Sequence, residues 1–218
     1  MIRFANVLLD LDGTLTDPFD GIAASICYAM ERMGFESPGD EELCAAIGPP
    51  LRQSFGRFLK TDDAERIAEA LRLYRERYST TGLFENHVYA GVPEMLGCLN
   101  GAGCRLFVAT SKPRVFAQKI VEHFDLAQHF AGVYGSELDG RLDNKKDLIR
   151  SILVADDLSA EGAVMVGDRS HDVVGAKANA VSAVGVTWGY GSRGELETAG
   201  AEVICESPNE VVRFLIES

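Results

Sequence analysis

The chain has 218 residues, 46% apolar and 25% charged, which is enough material for one ordinary globular domain and a smaller second one. Its formal net charge of −12 argues against nucleic acid and anionic membranes as partners, and no apolar run approaches the roughly 20 residues needed to span a bilayer. Five cysteines, with no C-x-x-C pair, speak against structural zinc and a disulfide framework, and favour free thiols in a reducing cytosol.

The first apolar run, Asn6 to Leu9, reads as a buried strand and ends in Asp10-Leu11-Asp12-Gly13-Thr14. The opening segment feeds directly into that strand, so it reads as part of the fold and not as a removable signal; a cytoplasmic location is expected. From Thr16 to Val88 the pattern is helical. Phe19 to Met33 carries Ile22, Ile26, Ala29 and Met33 at helical spacing, opened by Asp17-Pro18 and closed by Gly34. A short helix from Gly39 stops at Ile47-Gly48-Pro49-Pro50, and Leu51 to Leu59 and Ala64 to Tyr78 give two more.

After Tyr89 strands and helices alternate. A helix opens at Gly91-Val92-Pro93, the strand Cys104 to Ala109 follows, then a helix from Arg114 to His123 and a short strand near Val133. Next come a helix Asn144 to Leu153, the strand Ala163 to Val166, a helix Asp172 to Ala178 and the strand Ser182 to Val186. A turn-rich stretch from Gly189 to Gly194, a strand near Val203 and a final helix to Ile216 complete the chain. This alternation predicts an α/β fold with a doubly wound parallel sheet, residues 1–15 and 89–218 forming the core and 16–88 a smaller all-helical insertion. Ligands of such sheets bind beyond the carboxyl ends of the strands, and the chemical motifs fall there.

Asp10 and Asp12 are two apart, so on a continuing strand they would point the same way; Asp-Gly is equally ordinary turn chemistry. Asp168 ends the third apolar run and Asp172 follows four positions on, where helix capping also explains an acid. Several carboxylates in one place need a cation, and oxygen donors from strand ends suit Mg²⁺. Thr110-Ser111 brings a hydroxyl and backbone N–H groups to the same edge, or simply caps a helix with Pro113 near its first position. Lys145 and Lys146 open a helix against its dipole; one drawn inward would neutralise a phosphate, and Lys145 is the choice with Lys146 the fallback. His171 has no partner in the spacing, and Trp188 and Tyr190 read as packing residues.

These motifs in this order resemble the haloacid dehalogenase superfamily, in particular its phosphoglycolate phosphatase-like branch with a helical cap, whose relatives include 5′-nucleotidases. The resemblance rests on residues 9–17, 47–51, 109–113, 135–140 and 166–191. It implies that Asp10 is the phosphorylated nucleophile and that Asp12 is the general acid and then the base, its proton supported by acidic neighbours. It further implies that Thr110 and Lys145, with Gly13 and Ser111, hold the phosphoryl group. Mg²⁺ would take Asp10, the Asp12 carbonyl and Asp168, with Asp172 as ligand or just outside. The helical block would be a cap that excludes water, and Pro49 and Arg52 are expected to face the substrate, against the plainer reading of a helix–helix connection. The third motif departs from the usual Lys-Pro, having Lys145-Lys146 after Asn144.

The expected activity is Mg²⁺-dependent hydrolysis of small phosphate monoesters of the phosphoglycolate or nucleoside 5′-monophosphate type, by a monomer or homodimer. A phosphomutase shares the nucleophile, and a regulatory relative without catalysis shares the fold. A dehalogenase would need neither Asp12 nor a metal. A phosphoacceptor receiver domain is shorter and places its acidic pair and acceptor on different strands.

Overall fold

The computed structural model describes residues 2–216; Met1, Glu217 and Ser218, the ends of the expected core, lie outside the described residues. The chain divides into two compact units, Met1–Asp17 with Val88–Ser218, and Pro18–His87. Strand β1 (Asn6–Leu9) opens the first unit and is followed by the two-residue β2 (Thr16–Asp17).

The second unit is helical, with α1 (Phe19–Arg32), α2 (Asp40–Cys44), α3 (Leu51–Phe58), α4 (Ala64–Arg77) and one π-helical turn at Tyr78–Gly82. Gly34 ends α1 at φ +79°, where its N–H bonds to the Glu31 carbonyl and that of Phe35 reaches back to Met30. Asp63 caps α4 by accepting the Glu65 N–H at 2.9 Å, an interaction worth about 1 kcal/mol. The buried faces of α1 and α4 carry Ile22, Ile26, Met30, Ile67 and Leu71. Phe55 meets Tyr74 edge-on, and Tyr74 stacks on Tyr78 with centroids 5.0 Å apart.

Beyond β3 (His87–Val88) the first unit resumes with α5 (Val92–Gly101), β4 (Arg105–Pro113), α6 (Arg114–His123) and β5 (Gly132–Ser136). It continues through α7 (Lys145–Ala155), β6 (Ala163–Gly167), α8 (Ser170–Lys177) and β7 (Ser182–Val186). It ends with α9 (Arg193–Ala199), β8 (Val203–Cys205) and α10 (Pro208–Ile216). The sheet runs β5-β4-β1-β6-β7-β8 with every pairing parallel. The central strands are apolar on both faces, as a sheet covered on both sides requires. One face sets Leu8, Phe107, Ala109 and Met165 against Leu148, Ile149 and Ile152 of α7 and Val173 and Ala176 of α8. The intervening Val7, Leu9, Val108 and Val166 are equally buried on the other. The chain leaves β1 for β4 and β5 on one side and then crosses to β6 on the other, so the carboxyl end of β1 is the switch point at which sheets of this kind bind ligands. No described helix is long and apolar enough to cross a membrane.

Five elements differ from the sequence expectation. β2 and β3 are too short to show any periodicity. α9 hides behind the glycine-rich turn, although Ser192 accepting the Glu195 N–H at 3.1 Å is a Ser-x-x-Glu start signal legible in sequence. α8 begins at Ser170, two residues before the expected start, because Asp172 closes its first turn rather than opening it. β4 does not stop at Ala109 but continues through Thr110-Ser111-Lys112-Pro113, so Pro113 is the N-cap of α6 and not its first residue, and Thr110 caps nothing.

Candidate active site

The end of β1 explains how two aspartates two residues apart come to have separate partners. The Asp10 N–H still bonds to the Val166 carbonyl, extending the pairing with β6 by one residue. The chain then turns sharply, the Leu11 carbonyl accepting the N–H groups of Thr14, Leu15 and Thr16. Gly13 sits in this turn at φ +83°, and a Cβ there would lie 2.3 Å from Asp168 Oδ2, so only glycine fits. Asp10 therefore faces Lys145, at 2.9 Å, while Asp12 faces Lys112, at 2.7 Å. The two carboxylates do not share one cation, as a continuing strand would have suggested.

Asn144 caps α7 by accepting the Lys146 N–H at 2.9 Å, which fixes Lys145 at the first helical position with its side chain turned inward. Lys145 is only 4% exposed, and its Nζ lies 2.9 Å from Asp10, 2.7 Å from Asp172 and 2.7 Å from the Ala109 carbonyl. Lys146 is exposed. Asp172 Oδ2 accepts the Arg169 N–H at 3.1 Å, the capping interaction expected of it. Its Oδ1 touches the lysine off the hydrogen-bonding direction and has no other hydrogen-bond partner. Asp168, fully buried at the end of β6, accepts the Tyr190 N–H at 2.8 Å and the Thr14 hydroxyl at 3.4 Å.

Burial and the charges of Asp172 and Asp10 push the Asp168 carboxyl up to about 8. Asp172 is raised to about 6, chiefly by burial, with Lys145 opposing. Asp12 is also raised, and burial rather than the acidic neighbours leads; Asp10 adds to it while Lys112 works against it. Lys145 is raised above its ordinary value because Asp10 and Asp172 outweigh the cost of burying it.

Thr110 is buried on β4, and its hydroxyl accepts the Lys112 N–H at 3.2 Å. The Ser111 carbonyl accepts the Ser136 hydroxyl at 2.8 Å. Lys112, to which the sequence reading assigned nothing, is buried against Asp12. The signal for it was available: with β4 continued by three residues, Thr110 and Lys112 share a strand face. Trp188 and Tyr190 are more than packing residues. Trp188 Nε1 donates to the Thr14 carbonyl at 3.0 Å, and Tyr190 donates its N–H to Asp168 and its hydroxyl to Asp17. His171 is exposed. Pro49 lies in the turn before α3, and Arg52 lines a cleft of about 700 Å³ together with Gln53, Gly56, Arg57 and Thr61, all within the helical unit.

Asp10, Asp168 and Asp172 each offer an oxygen within 4.8 Å of the others. Hard oxygen donors, complete burial and an Asp172 oxygen lacking a directed hydrogen bond fit Mg²⁺. The metal-free protein must then hold a proton there. The folded Asp168 keeps its proton up to about pH 8 whereas the unfolded one loses it near 3.9, so folding binds protons between those values and stability falls as pH rises through them. Melting of EDTA-treated protein is expected to drop by on the order of 10 °C from pH 5 to pH 8, and saturating Mg²⁺ to remove most of that drop. A metal-free melting temperature that rises over this interval would contradict the arrangement.

Comparisons with known proteins bear on the chemistry. A family model described as haloacid dehalogenase-like hydrolase matches residues 7–186. The chain is 49% identical over 195 residues to a protein from Pseudomonas aeruginosa named 5′-nucleotidase, covering 89% of this chain and 88% of that one. It is 37% identical over 198 residues to the tyrosine-protein kinase PtkA of Mycobacterium bovis, covering 91% of this chain and 67% of the other. A crystal structure described as a predicted phosphatase from Clostridium acetobutylicum superposes with a TM-score of 0.94 at 40% identity over 99% of both chains. The chain belongs to the haloacid dehalogenase-like hydrolases and is a phosphoric monoester hydrolase.

Proposed function

We propose that this phosphatase is Mg²⁺-dependent and hydrolyses small phosphate monoesters of the phosphoglycolate or nucleoside 5′-monophosphate type through a phosphorylated Asp10. The observation that carries the reading is the buried cluster of Asp10, Asp168 and Asp172, with Lys145 paired to Asp10 and Asp172 and Asp12 paired instead to Lys112. Asp10, Asp168 and the Asp12 carbonyl would hold Mg²⁺, with Asp172 beside them; the bound ion supplies charge neutralisation for the phosphoryl oxygens. Thr110 and Lys145 hold those oxygens with Gly13 and Ser111.

An Asp10 carboxylate oxygen attacks phosphorus. The bond to the leaving oxygen breaks, its electron pair stays on that oxygen, and Asp12 delivers a proton there. Asp12, now a carboxylate, takes a proton from a water molecule that attacks the same phosphorus. The bond to Asp10 breaks, inorganic phosphate leaves, and both aspartates return to their starting states. Burial raises the Asp12 carboxyl, the direction that a proton donor at neutral pH requires.

The test is phosphate release with Mg²⁺ over nucleoside 5′-monophosphates, 2-phosphoglycolate, sugar phosphates and phosphotyrosine. Nucleoside 5′-monophosphates are expected to give the highest kcat/KM, since the 49% identical relative is named for that activity. EDTA should silence turnover and Mg²⁺ restore it; metal-independent turnover would sink the reading. Phosphate release without a bisphosphate activator separates hydrolysis from mutase chemistry.

A further inference from the structure

Glu195, in the first turn of α9, reaches back across the sequence to the loop that carries two of the acidic groups. Its Oε1 accepts the Ser170 N–H at 2.8 Å and Arg169 Nε–H at 3.1 Å. Arg169 and Ser170, with His171, join Asp168, just past the end of β6, to Asp172 in the first turn of α8. The same short link is tied on its other side by Asp172, which accepts the Arg169 N–H at 3.1 Å. The link is therefore gripped from within by Asp172 and from outside by Glu195.

Asp10, Asp168 and Asp172 each bring an oxygen within 4.8 Å of the others in a buried space. Ionising all three, as Mg²⁺ binding requires, sets like charges against one another, and a free loop would relax by spreading them. α9 is separately anchored by Leu196, its buried residue. The Glu195 carboxyl lies below its ordinary value: burial raises it, but the Ser170 hydrogen bonds and the Arg169 charge outweigh that. The interaction is thus favourable for the ionised acid in place.

We propose that Glu195 is a positioning residue for the metal ligands: by fixing the Arg169–Ser170 link it holds Asp168 and Asp172 converged with Asp10 before Mg²⁺ arrives. This rests on the Mg²⁺ reading above. Partners that orient metal ligands commonly change metal affinity by about 10- to 100-fold when removed. The preorganisation is in the loop, so the loss falls on metal affinity, while the fully loaded site keeps its chemistry.

Calorimetric titration of the metal-free protein with Mg²⁺ tests it. E195A is expected to bind Mg²⁺ at least about 10-fold more weakly than the wild type. E195Q, whose amide oxygen still accepts both donors, should stay within about threefold of it. The Mg²⁺ concentration for half-maximal turnover should shift in parallel, with kcat at saturating Mg²⁺ changed far less. Wild-type affinity in E195A overturns the proposal even if its metal-free melting temperature falls, since that is a purely structural role. E195Q as weak as E195A also overturns it, because lost charge and not lost positioning would then be responsible. Should E195A fail to fold, E195D, with its carboxylate one methylene short, must show weakened Mg²⁺ binding, and wild-type affinity there overturns the proposal. A wild-type protein that takes up no Mg²⁺ overturns the metal reading itself and this inference with it.

Discussion

Asp10→Asn is expected to lower phosphatase turnover by about four orders of magnitude or more while leaving the protein folded. An amide has no anionic oxygen with which to form a bond to phosphorus. It does keep the acceptor that bonds to the Leu11 N–H at 2.8 Å, so the turn at the end of β1 survives. Lys145 loses one anionic partner but keeps Asp172 at 2.7 Å and the Ala109 carbonyl at 2.7 Å. Circular dichroism and thermal melting should therefore be near wild type, and turnover above a hundredth of wild type would remove Asp10 as nucleophile.

Lys145→Met is expected to be the most damaging substitution for stability. It takes the ammonium out of a space where Asp10, Asp168 and Asp172 are all nine-tenths or more buried. Removing one member of a buried ion pair costs about 3–5 kcal/mol, because the partner charge stays behind without compensation. Two carboxylates lose their ion pair here, so the site escapes part of the cost by taking up protons. The loss should accordingly be larger at pH 8, where holding those protons is costly, than at pH 5.5. Urea unfolding of the metal-free protein at both values checks this, and a loss under about 1 kcal/mol at pH 8 would show that Lys145 does not balance the cluster. Turnover should fall by about 10²- to 10³-fold even with Mg²⁺ present, the usual cost of removing a group aimed at developing charge.

Much of this was legible because the chemistry sits on long-range order that the sequence states plainly. Apolar runs ending in Asp10, Thr110 and Asp168 become β1, β4 and β6, adjacent strands of one parallel sheet, so their ends must meet. The choice of Lys145 over Lys146 follows from Asn144, whose side chain caps the Lys146 N–H and turns the preceding lysine inward. What stayed hidden depends on where local structure stops. Reading β4 as ending at Ala109 concealed Lys112, whose buried partnership with Asp12 needs the strand to continue. Reading 189–194 as a turn concealed α9, and with it Glu195 and the contacts of Tyr190 to Asp168 and Asp17. The leading cause of the raised Asp12 carboxyl was also out of reach, since spacing reveals neighbouring charges but not the extent of burial.

Capture of the covalent intermediate tests the central claim most directly. Wild-type enzyme turning over a nucleoside 5′-monophosphate with Mg²⁺ would be quenched in acid, reduced with borohydride and mapped by peptide mass spectrometry. Reduction of an acyl phosphate converts its aspartate to homoserine, and the conversion is expected at residue 10 alone, dependent on both substrate and metal. Conversion at Asp12 or Asp168, or a phosphoryl group recovered on Thr110, would contradict the account.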